Sequence, residues 1–136
     1  MRISQEQKER INNSFSENSL KMMQKRYLLP YDNGGQETPA DMFARVAIAL
    51  AQGEKQYGKN EGFVERVAKD FFDIMASKEY TPAGRTLTNA GGATPLIANC
   101  IVLRIEDSME SIFQTLKEAA LLQQAGCGLG FDLSEM

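Results

Sequence analysis

Residues 99–136 read NCIVLRIEDSMESIFQTLKEAALLQQAGCGLGFDLSEM, and this stretch decides the fold. Ile101, Val102, Leu103 and Ile105 make a short β-rich run that reads as a buried strand. Asp107 and Glu110 then stand in the D-x-x-E spacing of a capping box, which makes Asp107 the expected N-cap. Met109, Ile112, Phe113, Leu116 and Ala120 follow at helical spacing and predict a core-facing stripe, and Gly126 is placed to stop the helix. GFDLSEM begins a second strand, so the order strand, helix, glycine turn, strand is half of a βαβ crossover. One or two parallel strands cannot form a stable sheet alone, because such strands need neighbours on both edges and cover on both faces. The stretch is therefore expected to be cut from a larger α/β domain.

Upstream of it the texture differs. YTPAGRTLTNAGGATPL carries Gly84, Gly91, Gly92, Pro82 and Pro95, which predicts a long ordered loop or a short strand between turns. TPADMFARVAIALAQGE has Thr38 as N-cap, Pro39 at the first helical position and Asp41 closing the box, with Phe43, Val46, Ala47 and Leu50 on one face. NEGFVERVAKDFFDIMASKEY repeats the helical pattern through Phe63, Val67, Phe71, Ile74 and Met75. A shorter helix through Leu20, Met23 and Tyr27 should end before the turn PYDNGGQ. Polar residues 1–15 predict a flexible leader, 16–80 a helical domain, and 81–136 the start of the α/β part. The fold class is α+β, mostly α.

Composition narrows the function. Fifteen Lys and Arg against 18 Asp and Glu give a net charge of −3, which leaves no electrostatic footprint for nucleic acid or an anionic membrane. No segment has the apolar core of a signal peptide or the roughly 18 apolar residues of a span, so a cytoplasmic protein is expected. The chain holds no histidine, which excludes a Cys/His zinc site and a self-contained Cys-His or Ser-His hydrolase; no metal site is expected. Two cysteines, Cys100 and Cys127, lack C-x-x-C spacing and fit a reducing compartment or redox chemistry.

The residues alone leave the chemistry open. Cys100 at the head of a strand is either a small buried hydrophobe or a thiol at a site. AGCGLG follows a helix instead of opening one, so dinucleotide and Walker patterns do not fit, yet its glycines offer bare backbone to a ligand. Asp107 either caps the helix or meets a nucleotide hydroxyl there.

Their combination resembles a known family. TPAGRTLTNAG, then ANCIVL, then EDSMESIFQTLKEAALLQQAGCGLGFDLS resemble the amino-terminal part of the large catalytic chain of ribonucleotide reductases. KRYLLPYDNGGQETPADMFARVAIALAQGE looks like the helical domain of the class II, adenosylcobalamin-dependent branch, and the resemblance covers about residues 18–136. It implies a helical N-terminal domain followed by the first strand-helix unit of a ten-stranded α/β barrel, here incomplete.

The resemblance also implies site residues. Cys100 would be one thiol of the pair that reduces the ribose 2′ position; Asn99, Ala125 and Gly126 would contact the ribonucleotide substrate. Asp107, Ser108 and Met109 match a region that reads a deoxynucleotide or ATP effector near a homodimer interface. A thioredoxin-type reductant would reopen the disulfide. Adenosylcobalamin, the second redox cysteine and the radical-forming cysteine belong to the remainder of the reductase chain, so these residues alone are expected to be inactive. The sequence departs from the class II branch it resembles at Cys127, where a glycine is common, and at Leu129, where a threonine is common; no ATP-cone pattern is visible. A class I large chain and a non-catalytic helical binding or regulatory module are the competing readings.

Overall fold

The computed structural model describes residues 3–94 and 96–136; Met1 and Arg2 of the expected leader, and Pro95 of the expected loop, lie outside the described residues. Two compact units emerge, 1–97 and 98–136.

The first unit is helical and is organised on α3 (Pro39–Ala51). Thr38 accepts from the Asp41 amide while the Asp41 carboxylate accepts from the Thr38 amide, the reciprocal box that the sequence predicts. Ala40, Met42, Phe43, Val46 and Ala47 are buried, and Met42 and Val46 belong to the most enclosed part of the core. Against α3 packs α4 (Glu61–Ala76), started by Asn60 and joined to it through a 3-10 turn, Gln52–Tyr57. The buried line of α4 is Val64, Ala68, Phe72 and Met75. Of the expected stripe only Met75 is fully inside; Phe63, Val67, Phe71 and Ile74 are half-buried beside it. The small Ala68 occupies the close approach, and the larger residues flank it.

Within the segment expected to be a flexible leader, the described residues 3–15 include an anchored helix. Ser4 caps α1 (Gln5–Asn12), Ile11 is buried, the Lys8 ammonium donates to Asp41 at 2.6 Å, and Asn12 accepts from the Ala40 amide at 3.1 Å. One apolar anchor and two polar ties to the head of α3 are enough to order a short polar helix that its own periodicity does not announce. Next comes α2 (Glu17–Arg26), which ends before Pro30 as expected, and the turn follows with Gly34 at φ +85°.

The segment expected as loop or strand contains a short helix, α5 (Gly84–Asn89), packed on α3. It belongs to the helical unit, so the division falls after residue 97 instead of after residue 80.

The second unit is the half-crossover. Strands β1 (Cys100–Glu106) and β2 (Gly128–Glu135) pair in parallel, joined by α6 (Met109–Gln124). The register sets Cys100 against Gly128, Val102 against Gly130 and Arg104 against Asp132, with an irregularity before Glu106 pairs with Glu135. Side chains alternate along β1: Ile101, Leu103 and Ile105 are half-buried, while Cys100, Val102 and Arg104 face solvent. The strand expected to be buried is thus covered on one face, because within this unit a single helix supplies the cover.

That helix turns an unexpected side to the sheet. Its buried positions are Thr115 and Ala119, with Ile112 half-buried, whereas Met109, Phe113 and Leu116 are 67%, 59% and 62% exposed and Ala120 is exposed. Small residues at 115 and 119 permit close approach to β1, and the large apolar stripe points away.

Candidate functional site

Because β1 and β2 are parallel, their first residues come together at one end of the sheet. Asn99, Cys100, Ala125, Gly126, Cys127 and Gly128 gather there. The expected effector residues Asp107, Ser108 and Met109 sit at the far end, beyond the last residue of β1 and at the start of α6. Seven strand residues separate the groups, roughly 20 Å at the rise of a β-strand.

At the thiol end each residue has a distinct environment. Cys100 is exposed on the uncovered face. Cys127 is buried at 5% exposure, and its thiol donates to the Asn99 carbonyl at 3.5 Å. The Asn99 carbonyl also accepts from the Gly128 amide at 2.9 Å, so it ties both strand heads together. Asn99 itself is half-buried. Both cysteines are free thiols, one exposed and one buried, as expected of side chains on opposite faces of the strand heads.

Ala125 is the C-cap of α6 and Gly126 follows with φ +80°. The Gly126 amide donates to Gln123 at 2.8 Å and the Cys127 amide to Leu122 at 2.9 Å, the two bonds of a Schellman stop. Gly126 is therefore explained by helix termination, as the sequence predicts, whatever else it touches.

At the other end the cap is Ser108, whose hydroxyl accepts from the Ser111 amide at 3.1 Å. This corrects the assignment of Asp107: a serine one residue later fits the extended cap backbone and leaves the Asp107 carboxylate exposed. Met109 is the exposed first residue of α6. Ser108 and Met109, without Asp107, line an open concavity of about 780 Å³ with Glu106, Glu110, Ser111, Phe113 and Gln114. Its lining has two carboxylates and no cation, which suits hydroxyls and a flat ring better than phosphates.

Sequence reasoning overlooked a buried polar hub of the helical unit. Arg45 donates to Glu37 through Nε at 2.7 Å and through Nη2 at 3.0 Å, and also to the carbonyls of Leu87 at 3.0 Å and Ala90 at 2.5 Å. Glu37 in turn accepts from the Leu29 amide at 2.9 Å. The E-T-P, A-R-V and T-N-A-G stretches that carry the resemblance are thus joined by one buried ion pair. The pairing of an acidic residue just before the Thr38 cap with the arginine two turns into α3 was the available signal.

With the geometry described, comparison with known proteins assigns the class. A family model described as the all-alpha domain of ribonucleotide reductase matches residues 13–95, and one described as the reductase barrel domain matches 98–136. The chain belongs to the ribonucleotide reductase large-subunit family, the family whose motifs its sequence displays. Its relatives include the vitamin B12-dependent ribonucleoside-diphosphate reductase of Mycobacterium tuberculosis, 39% identical over 116 residues, covering 85% of this chain and 16% of the relative. The protein of the same name from Thermoplasma acidophilum is 28% identical over 88% of this chain and 22% of its own length. Ribonucleoside-diphosphate reductase subunit alpha of Helicobacter pylori is 34% identical over 85% of this chain and 14% of its own. The chain thus spans less than a quarter of each of these relatives. The two family matches meet where the two units divide, and the order of an all-helical domain followed by the opening of a barrel is the predicted one.

Proposed function

We propose that this chain supplies the opening part of a vitamin B12-dependent ribonucleotide reductase, with Cys100 as one thiol of the pair that reduces the ribose. In that reaction two thiols become a disulfide, giving up two electrons and two protons. The ribose C2′–OH bond is replaced by C2′–H, and the oxygen leaves as water. An external dithiol of the thioredoxin class then reduces the disulfide. The observation that carries this reading is Cys100 itself: a free thiol at the head of β1, exposed on the face that α6 leaves bare, within the segment that matches the barrel.

Cys127 cannot be the second thiol while it stays buried against the Asn99 carbonyl. The partner cysteine must come from the remainder of the catalytic chain, so these 136 residues are inactive alone. Asn99, Ala125 and Gly126, grouped at the same end as Cys100, meet the ribonucleotide. Asp107, Ser108 and Met109 meet a deoxynucleotide or ATP effector in the assembled homodimer, whose phosphates need cations from outside this concavity. Adenosylcobalamin does not fit the two concavities described: both are open, and charged side chains stand in their walls, Glu106 and Glu110 in one and Glu65, Arg66, Lys69 and Asp73 in the other. It is assigned to the rest of the reductase, and no step here runs through it. A reduced thiol pair is consistent with the cytoplasm. The Helicobacter pylori relative, whose name carries no B12 dependence, favours a class I large chain as the second reading.

The test is complementation. Mixed with the remaining part of the catalytic chain, this protein should support dithiol-dependent deoxynucleotide formation only when adenosylcobalamin is added. Turnover by this chain alone contradicts the need for a partner thiol, and turnover of the mixture without the cofactor contradicts the B12-dependent class.

A further inference from the structure

The three glycines of AGCGLG do not share one reason. Gly126 needs its positive φ, but neither Gly128 nor Gly130 has one, so backbone conformation does not demand glycine at either strand position. Glycine inside a strand weakens it relative to alanine, and something local must justify it.

At 128 the local reason is a sulfur atom. A Cβ built on Gly128 would lie 3.3 Å from the Cys100 Sγ and 3.4 Å from the Asn99 carbonyl oxygen. Carbon contacts in packed protein settle near 3.5–4.0 Å, and sulfur is larger than carbon. The two residues are register partners on the same face, so the strand pairing holds them together. Gly130 is the internal comparison: its Cβ would meet the Val102 Cγ2 at 3.6 Å, an ordinary contact.

We propose that Gly128 is a positioning residue for the Cys100 thiol, its absent side chain being the space beside which the Sγ rests. This deepens the redox reading of Cys100 and rests on it. A side chain at 128 makes the Cys100 sulfur or the strand heads give by a few tenths of an ångström. The Asn99 carbonyl on the other side, bonded to the Gly128 amide and the Cys127 thiol, gives the strand head little freedom to yield. A thiol that must meet a partner sulfur within bonding geometry tolerates little displacement.

The experiment is a double-mutant cycle in the complemented reductase. Gly128→Ala should lower kcat of dithiol-dependent turnover at least tenfold with KM for the nucleotide within about twofold, while Gly130→Ala leaves both within about twofold. Thermal stability of the complex supplies a readout that needs no turnover. Gly128→Ala should lower Tm with Cys100 present and leave Tm unchanged or raised in the Cys100→Ala background, where no sulfur opposes the new methyl. An equal loss of Tm in both backgrounds, or normal kcat in Gly128→Ala, overturns the proposal. If Cys100→Ser retains full turnover the redox reading fails instead, and the Tm cycle still decides whether Gly128 seats the sulfur.

Discussion

Gly91 shows how one residue can be fixed by two independent constraints. Its φ is +73°, and a Cβ there would lie 2.9 Å from Arg45 Cγ and 3.2 Å from Ala49 Cβ. Gly91→Ala should therefore destabilise the protein by about 1–3 kcal/mol, read as a lowered urea midpoint. The neighbouring ion pair is costlier to break, because Glu37 and Arg45 side chains are only 7% and 13% exposed. Removing one partner, as in Glu37→Gln or Arg45→Met, should cost about 3–5 kcal/mol, and Arg45→Lys should recover little, since the three donors of one compact ammonium cannot reproduce the four hydrogen bonds that the guanidinium spreads over Glu37 and two carbonyls. Asp41 carries the pH dependence. Burial alone would raise its carboxyl, but hydrogen bonds from Lys8 and from the Thr38 hydroxyl and amide outweigh it and hold the group at about 2. A depressed carboxyl lends stability that is complete above its unfolded value near 4 and disappears as pH falls toward 2. Thermal melts across that window should show the loss, and Asp41→Asn should flatten it; an unchanged slope would refute the assignment.

At the scale of elements, α3 was legible because its cap, its proline and its stripe all agree, and all three appear in the structure. The reading of α6 went astray on one assumption, that the large apolar stripe faces the sheet. Its buried positions are Thr115, whose hydroxyl donates to the Arg104 carbonyl of β1 at 3.5 Å, and Ala119, which periodicity of bulky residues does not detect. Accordingly Leu116→Ser should change the stability of this chain by no more than about 0.5 kcal/mol, whereas Ala119→Leu should cost about 1–3 kcal/mol by overpacking. The reverse order in denaturant melts would mean the helix is turned the other way. The end of α4 was also hidden: Lys78 takes φ +65°, a place usually given to glycine, and its ammonium donates to the Ser14 carbonyl at 2.6 Å and lies 4.4 Å from the Phe15 ring centroid. Those contacts come from a segment far away in sequence, which local patterns cannot report.

For the whole molecule, the half-crossover and the helical unit were both readable, since each rests on regular periodicity and punctuation. The boundary between them was not, because the stretch with Gly84, Gly91 and Gly92 looks like connecting loop in sequence while its residues are held by Arg45 and packed on α3. The candidate site residues were named through motif resemblance alone, and the grouping of Asn99, Cys100, Ala125 and Gly126 at one end of the sheet follows from parallel pairing. What sequence could not supply was the side of the strand each thiol occupies, which depends on register. That distinction carries the central claim, that Cys100 is the redox thiol and Cys127 a buried support. The direct measurement is dithiol-dependent turnover of the complemented reductase carrying Cys100→Ser or Cys127→Ala, with nucleotide affinity measured alongside. Cys100→Ser should abolish turnover while affinity survives, and Cys127→Ala should keep turnover within a few-fold while lowering Tm. Normal turnover in Cys100→Ser, or a dead but stably folded Cys127→Ala, would contradict it.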